Sequence, residues 1–378
     1  MNKTRPGNIR QISATLMDKY FTGNSMDYKQ IVSIIIPILV DQAFIILMSL
    51  LNTAMISSSG VAAVSAVSMV DSLNIFLINV FVAVATGGTV IVAQYKGSGN
   101  QKMVSRAASQ AVSAVALLSI LISGFVIIFH NPTLNLLFGN AEADVFQNAK
   151  IYLIGSCLSY PFIAIFQAVS GVLRGVAETR ACLRLSLIMN LTFLGLNVLL
   201  ITVLNMGVMG LIISMILARV LGMATSIIYL LKYNQTLRFK IKNALNIDFS
   251  MLKKIMFIGL PFAAEQMFFN GGKLLTQTFI VQLGTFAITA NAISGSIALV
   301  YQIGSSALSI AVVTVVGQCI GRKDIQDARK FIKSFLGLST GFFLIGIVVL
   351  LPLFPLLMKL FSPPAEIIGC FASYWVIS

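Results

Sequence analysis

The amino-acid sequence predicts an all-α integral membrane protein of two pseudo-symmetric helical lobes, with about ten transmembrane helices present. Three observations predict it: more apolar residues than a soluble core can bury, apolar runs of about twenty residues, and self-similarity at one fixed offset. Of 378 residues, 57% are hydrophobic and 10% are charged, and the mean hydropathy is +0.93. Soluble domains carry about 25% charged residues, so the bilayer must serve as part of this chain's solvent. The apolar runs are too long and too uniform for an outer-membrane barrel, whose strands alternate over about ten residues.

Taken in order, residues 1–30 read as a cytoplasmic N-terminal segment, polar and basic and without the apolar stretch of a signal peptide. Ile9, Ile12, Leu16 and Tyr20 follow helical spacing. That spacing fits an amphipathic helix lying on the membrane surface, and a disordered tail fits the composition equally. Apolar spans follow near 31–56, 62–95, 107–129, 146–173, 183–204, 207–231, 252–282, 287–319 and 331–357. A tenth begins near 366 and runs into Ser378, so the chain is expected to be a piece of a longer one.

Basic residues orient these spans, because short cytoplasmic loops retain Lys and Arg while translocated ones rarely carry them. Lys96, Lys102 and Arg106 follow span 2; Arg174, Arg180 and Arg184 follow span 4. Lys232, Arg238, Lys240, Lys242, Lys253 and Lys254 follow span 6, and Arg322, Lys323, Arg329, Lys330 and Lys333 follow span 8. With the N-terminal segment these make up all 26 basic residues except Lys150, Arg219, Lys273 and Lys359. The N-terminus is therefore expected inside a plasma or inner cell membrane. The same clustering explains the net charge of +14 without a nucleic-acid partner.

Pro37-Ile38-Leu39-Val40-Asp41-Gln42 matches Pro261-Phe262-Ala263-Ala264-Glu265-Gln266 at an offset of 224 positions. The same offset pairs Gly60 with Gly284, Ala66 with Ala290, Gln94 with Gln318 and Gly97 with Gly321, with no gap. A duplication is expected: an N-lobe over 31–232, a linker over 233–250 and a truncated C-lobe over 251–378. Spans 1 and 7 both start inside, which implies an axis along the membrane normal, with a substrate path between lobes that rock against each other.

Asp41, Asp71 and Glu265 are the acids placed within apolar spans, where a charge costs at least about 2.5 kcal/mol unless solvated or paired. Glu265 lies thirteen residues into span 7, about 20 Å along the axis, a depth suited to exchanging a proton or coordinating a cation. A structural hydrogen-bond acceptor is the alternative. Asp41 is its repeat mate, so the two acids are expected to face each other across the lobe interface, flanked by Gln42 and Gln266. Asp71 and Asn74 share a helix face, as an ion-ligand pair or a polar contact near a helix end. Lys273, within about 80° of the Glu265 face, reads as a charge partner or as a snorkelling side chain. Arg219 is similarly open. Pro37, Pro161 and Pro261 interrupt their spans, and Ala85-Thr86-Gly87-Gly88 predicts close helix packing. Gly97-Ser98-Gly99-Asn100 reads as a turn. The four cysteines, Cys157, Cys182, Cys319 and Cys370, and the single His130, expected in an external loop, offer no metal-ligand spacing and no catalytic constellation, so no enzyme is predicted.

Several of these stretches together resemble the MATE multidrug efflux family: Ile36-Pro37 through Asp41-Gln42, Leu51-Asn52-Thr53, Ala85 to Thr89 with Val92-Ala93-Gln94-Tyr95, Gly259-Leu260-Pro261 to Glu265-Gln266, and Thr314 to Gln318. The resemblance covers nearly the whole chain and implies twelve helices in a complete protein. It implies a monomeric antiporter that exports amphipathic, often cationic small molecules in exchange for H⁺ or Na⁺, with no other cofactor. Two positions depart from the family. Many members have Asp where this sequence has Asn52, and many pair Asn with an acid or amide four residues on where it has Phe193 and Asn197. Asn52 and Asn197 remain candidate ligands, and weight shifts to Asp41 and Glu265. A flippase for lipid-linked saccharides, which would line its cavity with several basic residues, and a non-transporting remnant are the competing readings.

Overall fold

The computed structural model describes residues 18–56, 61–138, 143–282 and 285–361. Nine long helices dominate these residues: α1 (Tyr28–Ile56), α2 (Val61–Gly97), α3 (Gln101–Ile128), α5 (Ala143–Gly175), α6 (Thr179–Asn197), α7 (Gly207–Ile228), α9 (Phe249–Gln282), α10 (Thr285–Gly321) and α11 (Ile325–Phe361). Two short helices, α4 (His130–Phe138) and α8 (Ile241–Leu245), lie between them. Wider π-helical turns continue α6 over Val198–Val203 and α7 over Tyr229–Tyr233. Among the described residues seven helices are long and apolar enough to cross a membrane. In α9 the polar run Glu265, Gln266 and Asn270 with Gly271 and Gly272 lowers the apolar character of the middle of the helix.

Three expectations need correction or placement. His130 does not sit in a loop; it opens α4. The stretch expected as a linker, 233–250, carries α8 and docks on α3. Gln110 donates to the carbonyls of Asn243 and Asn246 at 2.7 and 2.6 Å, and Ser105 to that of Arg238 at 2.7 Å. The tenth span and Ile9, Ile12 and Leu16 lie outside the described residues.

The offset of 224 reappears in the contacts. α2 and α10 begin and end at equivalent positions, and so do the starts of α3 and α11. Gly97 lies so close to α10 that a Cβ there would stand 2.0 Å from the Gln318 carbonyl oxygen; at Gly321 it would stand 2.0 Å from that of Gln94. These are reciprocal contacts between repeat mates. Ala93 touches Gly317, its own mate, as residues on a two-fold axis must. The turns after α2 and α10 place Gly99 and its mate Lys323 in the left-handed region, at φ +72° and +64°.

Around this axis each first helix packs its basic-turn end against the other copy. Ile31, Ile34, Ile35 and Ile38 of α1 are buried with Ala307, Ala311 and Val315 of α10 and Phe331 and Phe335 of α11. Reciprocally, Met251 and Ile255 of α9 belong to the core formed by α2, α3 and α5. Gly87 lets α9 approach closely, its missing Cβ falling 2.5 Å from the Ile255 carbonyl oxygen. Lipid tails solvate apolar side chains as well as a protein core does, so small residues that admit close backbone approach do most of the holding here.

Candidate functional site

Five helices of the first copy, α1, α2, α5, α6 and α7, enclose a cavity of about 420 Å³. Its walls are mostly apolar, with Met48, Val67, Ile163, Phe166, Met189, Phe193 and Met215, and its polar groups fall in layers.

In one layer α1 presents Asp41, 3% exposed, and the basic end of α5 presents Arg174. Arg174 Nη2 donates to Asp41 Oδ2 at 3.4 Å. Among the described residues Asp41 Oδ1 and Arg174 Nε have no hydrogen-bond partner, and Ser186 of α6 lines the same wall. The pair is long for an ion pair and leaves one buried acceptor and one buried donor unspent.

In a second layer Asp71 of α2 accepts on Oδ1 from the Tyr152 hydroxyl at 2.8 Å and from Asn74 Nδ2 at 3.0 Å. Asn74, buried, also donates to Ser156 at 3.1 Å and accepts from the Tyr160 hydroxyl. Arg219 of α7 donates to Ser159. At about 1.5 Å per residue, Asp71, Tyr152 and Arg219 stand roughly 14–18 Å from the starts of their helices, all three of which begin at the end opposite the basic turns. A third polar pair lies where α6 widens into its π turn: fully buried Asn197 donates to Asn52 Oδ1 at 2.9 Å, and among the described residues its own Oδ1 has no partner.

The cavity thus gathers Asp41, Asn52 and Asp71 of the sequence candidates, with Asn74 and Asn197 bonded to it. Gln42 is half-buried and off its walls, and Gln266 is half-buried with its backbone carbonyl accepting from Asn270. The expectation that Asp41 and Glu265 face each other is corrected: Asp41 turns into its own copy toward Arg174, and Glu265 is exposed on α9. Lys273 is likewise no partner of Glu265; its Nζ lies 4.6 Å from the Phe269 ring centroid, one turn back on the same exposed helix. Arg174, Tyr152 and Tyr160 went unnoticed in the sequence. In the sequence Arg174 reads as one of the loop charges, and only its place as the last side chain before Gly175 at the end of an apolar helix marks it.

The family model for MatE matches residues 37–201 and 261–377, well over half of the chain. Among curated relatives, an uncharacterized transporter of Bacillus subtilis, YisQ, is 27% identical over 299 residues, 78% of this chain and 65% of the relative. The probable multidrug resistance protein NorM of Thermotoga maritima is 24% identical over 366 residues, 92% of this chain and 77% of the relative. The chain therefore spans less than two thirds of YisQ. Its fold is that of a multidrug resistance MATE family transporter of the MOP superfamily solved in an outward-facing conformation, with a TM-score of 0.82 at 17% identity over 98% of this chain and 80% of that one. A repeat of apolar helices at one offset, a cavity with a few polar groups inside the first copy, and a family match across both copies converge on one statement: this chain is a multi-pass membrane protein and belongs to the MatE family of transporters.

Proposed function

We propose that the chain is the transporting unit, or the larger part of one, of a secondary antiporter that exports amphipathic, cationic small molecules in exchange for H⁺ or Na⁺. The observation that carries this reading is the first-copy cavity, whose volume suits a drug-sized guest and whose apolar walls surround a few convergent polar groups. Asp41 is the coupling group best supported by its surroundings. It is buried and lines the cavity, and one of its oxygens has no partner among the described residues. Glu265 is the second candidate, through its equivalence to Asp41 in the repeat. Loading Asp41 with a proton or Na⁺ would weaken its hold on a cationic guest and release it.

The lobes run over 31–232 and 251–378, joined by 233–250, in a plasma or inner membrane with the basic turns and the N-terminus inside; the unit works as a monomer. The saccharide-lipid flippase would draw on Arg174 and Arg219, the two cations on the cavity wall, and not on Lys273. Asp41 and Asp71 offset those two cations, so the cavity is not a basic one, and export of small amphipathic molecules is retained. The test is reconstitution in proteoliposomes with an ethidium-type dye and an imposed H⁺ or Na⁺ gradient. Gradient-driven dye movement is expected, abolished by Asp41→Asn and by Glu265→Gln; unchanged transport in either variant removes that acid from the coupling role.

A further inference from the structure

The two guanidinium groups of the cavity are committed to different degrees. Arg174 has a carboxylate partner in Asp41. Arg219 stands twelve residues into α7, about 18 Å from the helix start, within the span Gly207–Tyr233 and on the cavity wall. It donates from Nη1 to the Ser159 hydroxyl, and among the described residues no carboxylate lies within ion-pairing distance of it. The ionisable groups that face it are Asp71, Tyr152 and Tyr160. Asp71 offsets the charge from beyond ion-pairing distance, with Oδ1 already taking two hydrogen bonds, and the two tyrosine hydroxyls donate to Asp71 and Asn74. A guanidinium offers five N–H donors in a planar fork matched to a carboxylate or phosphate, and a serine hydroxyl uses one of them. A cation kept at membrane depth beside an open cavity, with most of its donors unspent, is poised for an anion that arrives and leaves.

We propose that Arg219 anchors an anionic group of the transported molecule, so that the cavity selects amphoteric compounds carrying a carboxylate beside their cationic amine. The inference rests on the export reading above and narrows its substrate class. The Asp41 carboxylate, on the same cavity wall, is the acceptor for the amine. Two acids and two guanidiniums leave the cavity neutral, and an amphoteric guest keeps it so, whereas a purely cationic guest adds an uncompensated charge to a low-dielectric space.

Rhodamine 110 and rhodamine 123 make the test, since they share one cationic ring system and differ only in a free carboxylate against its methyl ester. Each is titrated against the purified chain in detergent, with fluorescence polarisation as the readout. Rhodamine 110 should bind at least about tenfold tighter. Arg219→Gln should cancel the preference by weakening rhodamine 110 alone, and Arg219→Lys should keep part of it, because a point charge replaces a two-pronged contact. Undiminished rhodamine 123 binding shows that each variant is folded. Equal or tighter binding of rhodamine 123 to the unaltered chain, or a preference that survives Arg219→Gln, overturns the anchor and leaves Arg219 as a packing residue tied to Ser159. Binding of rhodamine 123 alone spares the export reading; binding of neither dye overturns both.

Discussion

Asp41 of α1 and Glu265 of α9 stand 224 positions apart, at equivalent places in two copies of one helical motif, yet Asp41 is buried against a guanidinium and Glu265 is exposed. Their own helices do not explain the contrast, since both carry the Pro-to-acid-Gln run and both pack their basic-turn ends on the other copy. The partners do. In the first copy α5 supplies Arg174 and α6 supplies Ser186 to the wall that Asp41 lines, whereas among the described residues Glu265 forms no ion pair. An acid in an apolar helix becomes a site only when later helices close over it, so the two acids test how much of the mechanism belongs to each copy.

The largest effect expected from this comparison is on stability. Asp41→Asn strips Arg174 of its counter-charge, and orphaning one member of a buried pair costs several kcal/mol; about 3 is expected here, where Arg174 keeps 15% of its side chain exposed. Glu265→Gln should stay within about 0.5 kcal/mol, as exposed substitutions do. Thermal unfolding of the purified chain in detergent measures both. Equal losses would mean that Glu265 is held as tightly as Asp41, and the contrast would be gone. The double variant Asp41→Asn, Arg174→Gln should recover part of the loss, because no charge is then left unpaired.

Positions on the repeat axis should behave in the opposite way, as matched pairs. Gly97→Ala and Gly321→Ala each drive a methyl group into a carbonyl of the partner copy, an overpacking worth about 1–3 kcal/mol. Gly124→Ala is the control, with nothing within 4 Å of its would-be Cβ, and it should be neutral or gain up to about 1 kcal/mol of helix stability. Similar losses at Gly97 and Gly321, read by the same unfolding assay, would confine the asymmetry of the copies to the acids. A large loss at one alone would show that the copies differ at the axis as well.

The fold was far more legible than the site, for a physical reason. A bilayer requires uninterrupted apolar helices with internally satisfied backbones, and it penalises charge wherever the chain is translocated, so spans and repeat are written in local composition. The site depends on which side chains turn toward one another. Asp41, Asn52 and Asp71 stood out as polar residues in apolar helices. Arg174 did not, because it shares one turn with Arg180 and Arg184 and only packing decides which of the three points inward. Tyr152 and Tyr160 were unreadable, since tyrosines in apolar spans are commonly plain core and nothing local announces that these two bond Asp71 and Asn74. Glu265 erred in the other direction: its depth in its helix was legible and its exposure was not, because burial is supplied by neighbours.

The smallest expected effect separates the copies at their third spans, α3 and α11. Asn100 Oδ1 accepts from the Met103 amide at 3.2 Å and caps α3; its mate Asp324 accepts from the Asp327 amide at 3.0 Å and caps α11. As caps alone the two should be worth the same, about 1 kcal/mol each on replacement by alanine. Asp324 does more, because its second oxygen accepts from the Ser25 hydroxyl at 3.1 Å, tying the segment before α1 to the other copy next to the bond from the Ser25 amide to Asp327. Asp324→Ala should therefore cost more than Asn100→Ala by about the 0.5–1.5 kcal/mol of one further hydrogen bond. Ser25→Ala isolates that increment. If Asp324→Ala and Asn100→Ala prove equal while Ser25→Ala is silent, the tie between the N-terminal segment and α11 contributes nothing, and the two copies are alike at this position too.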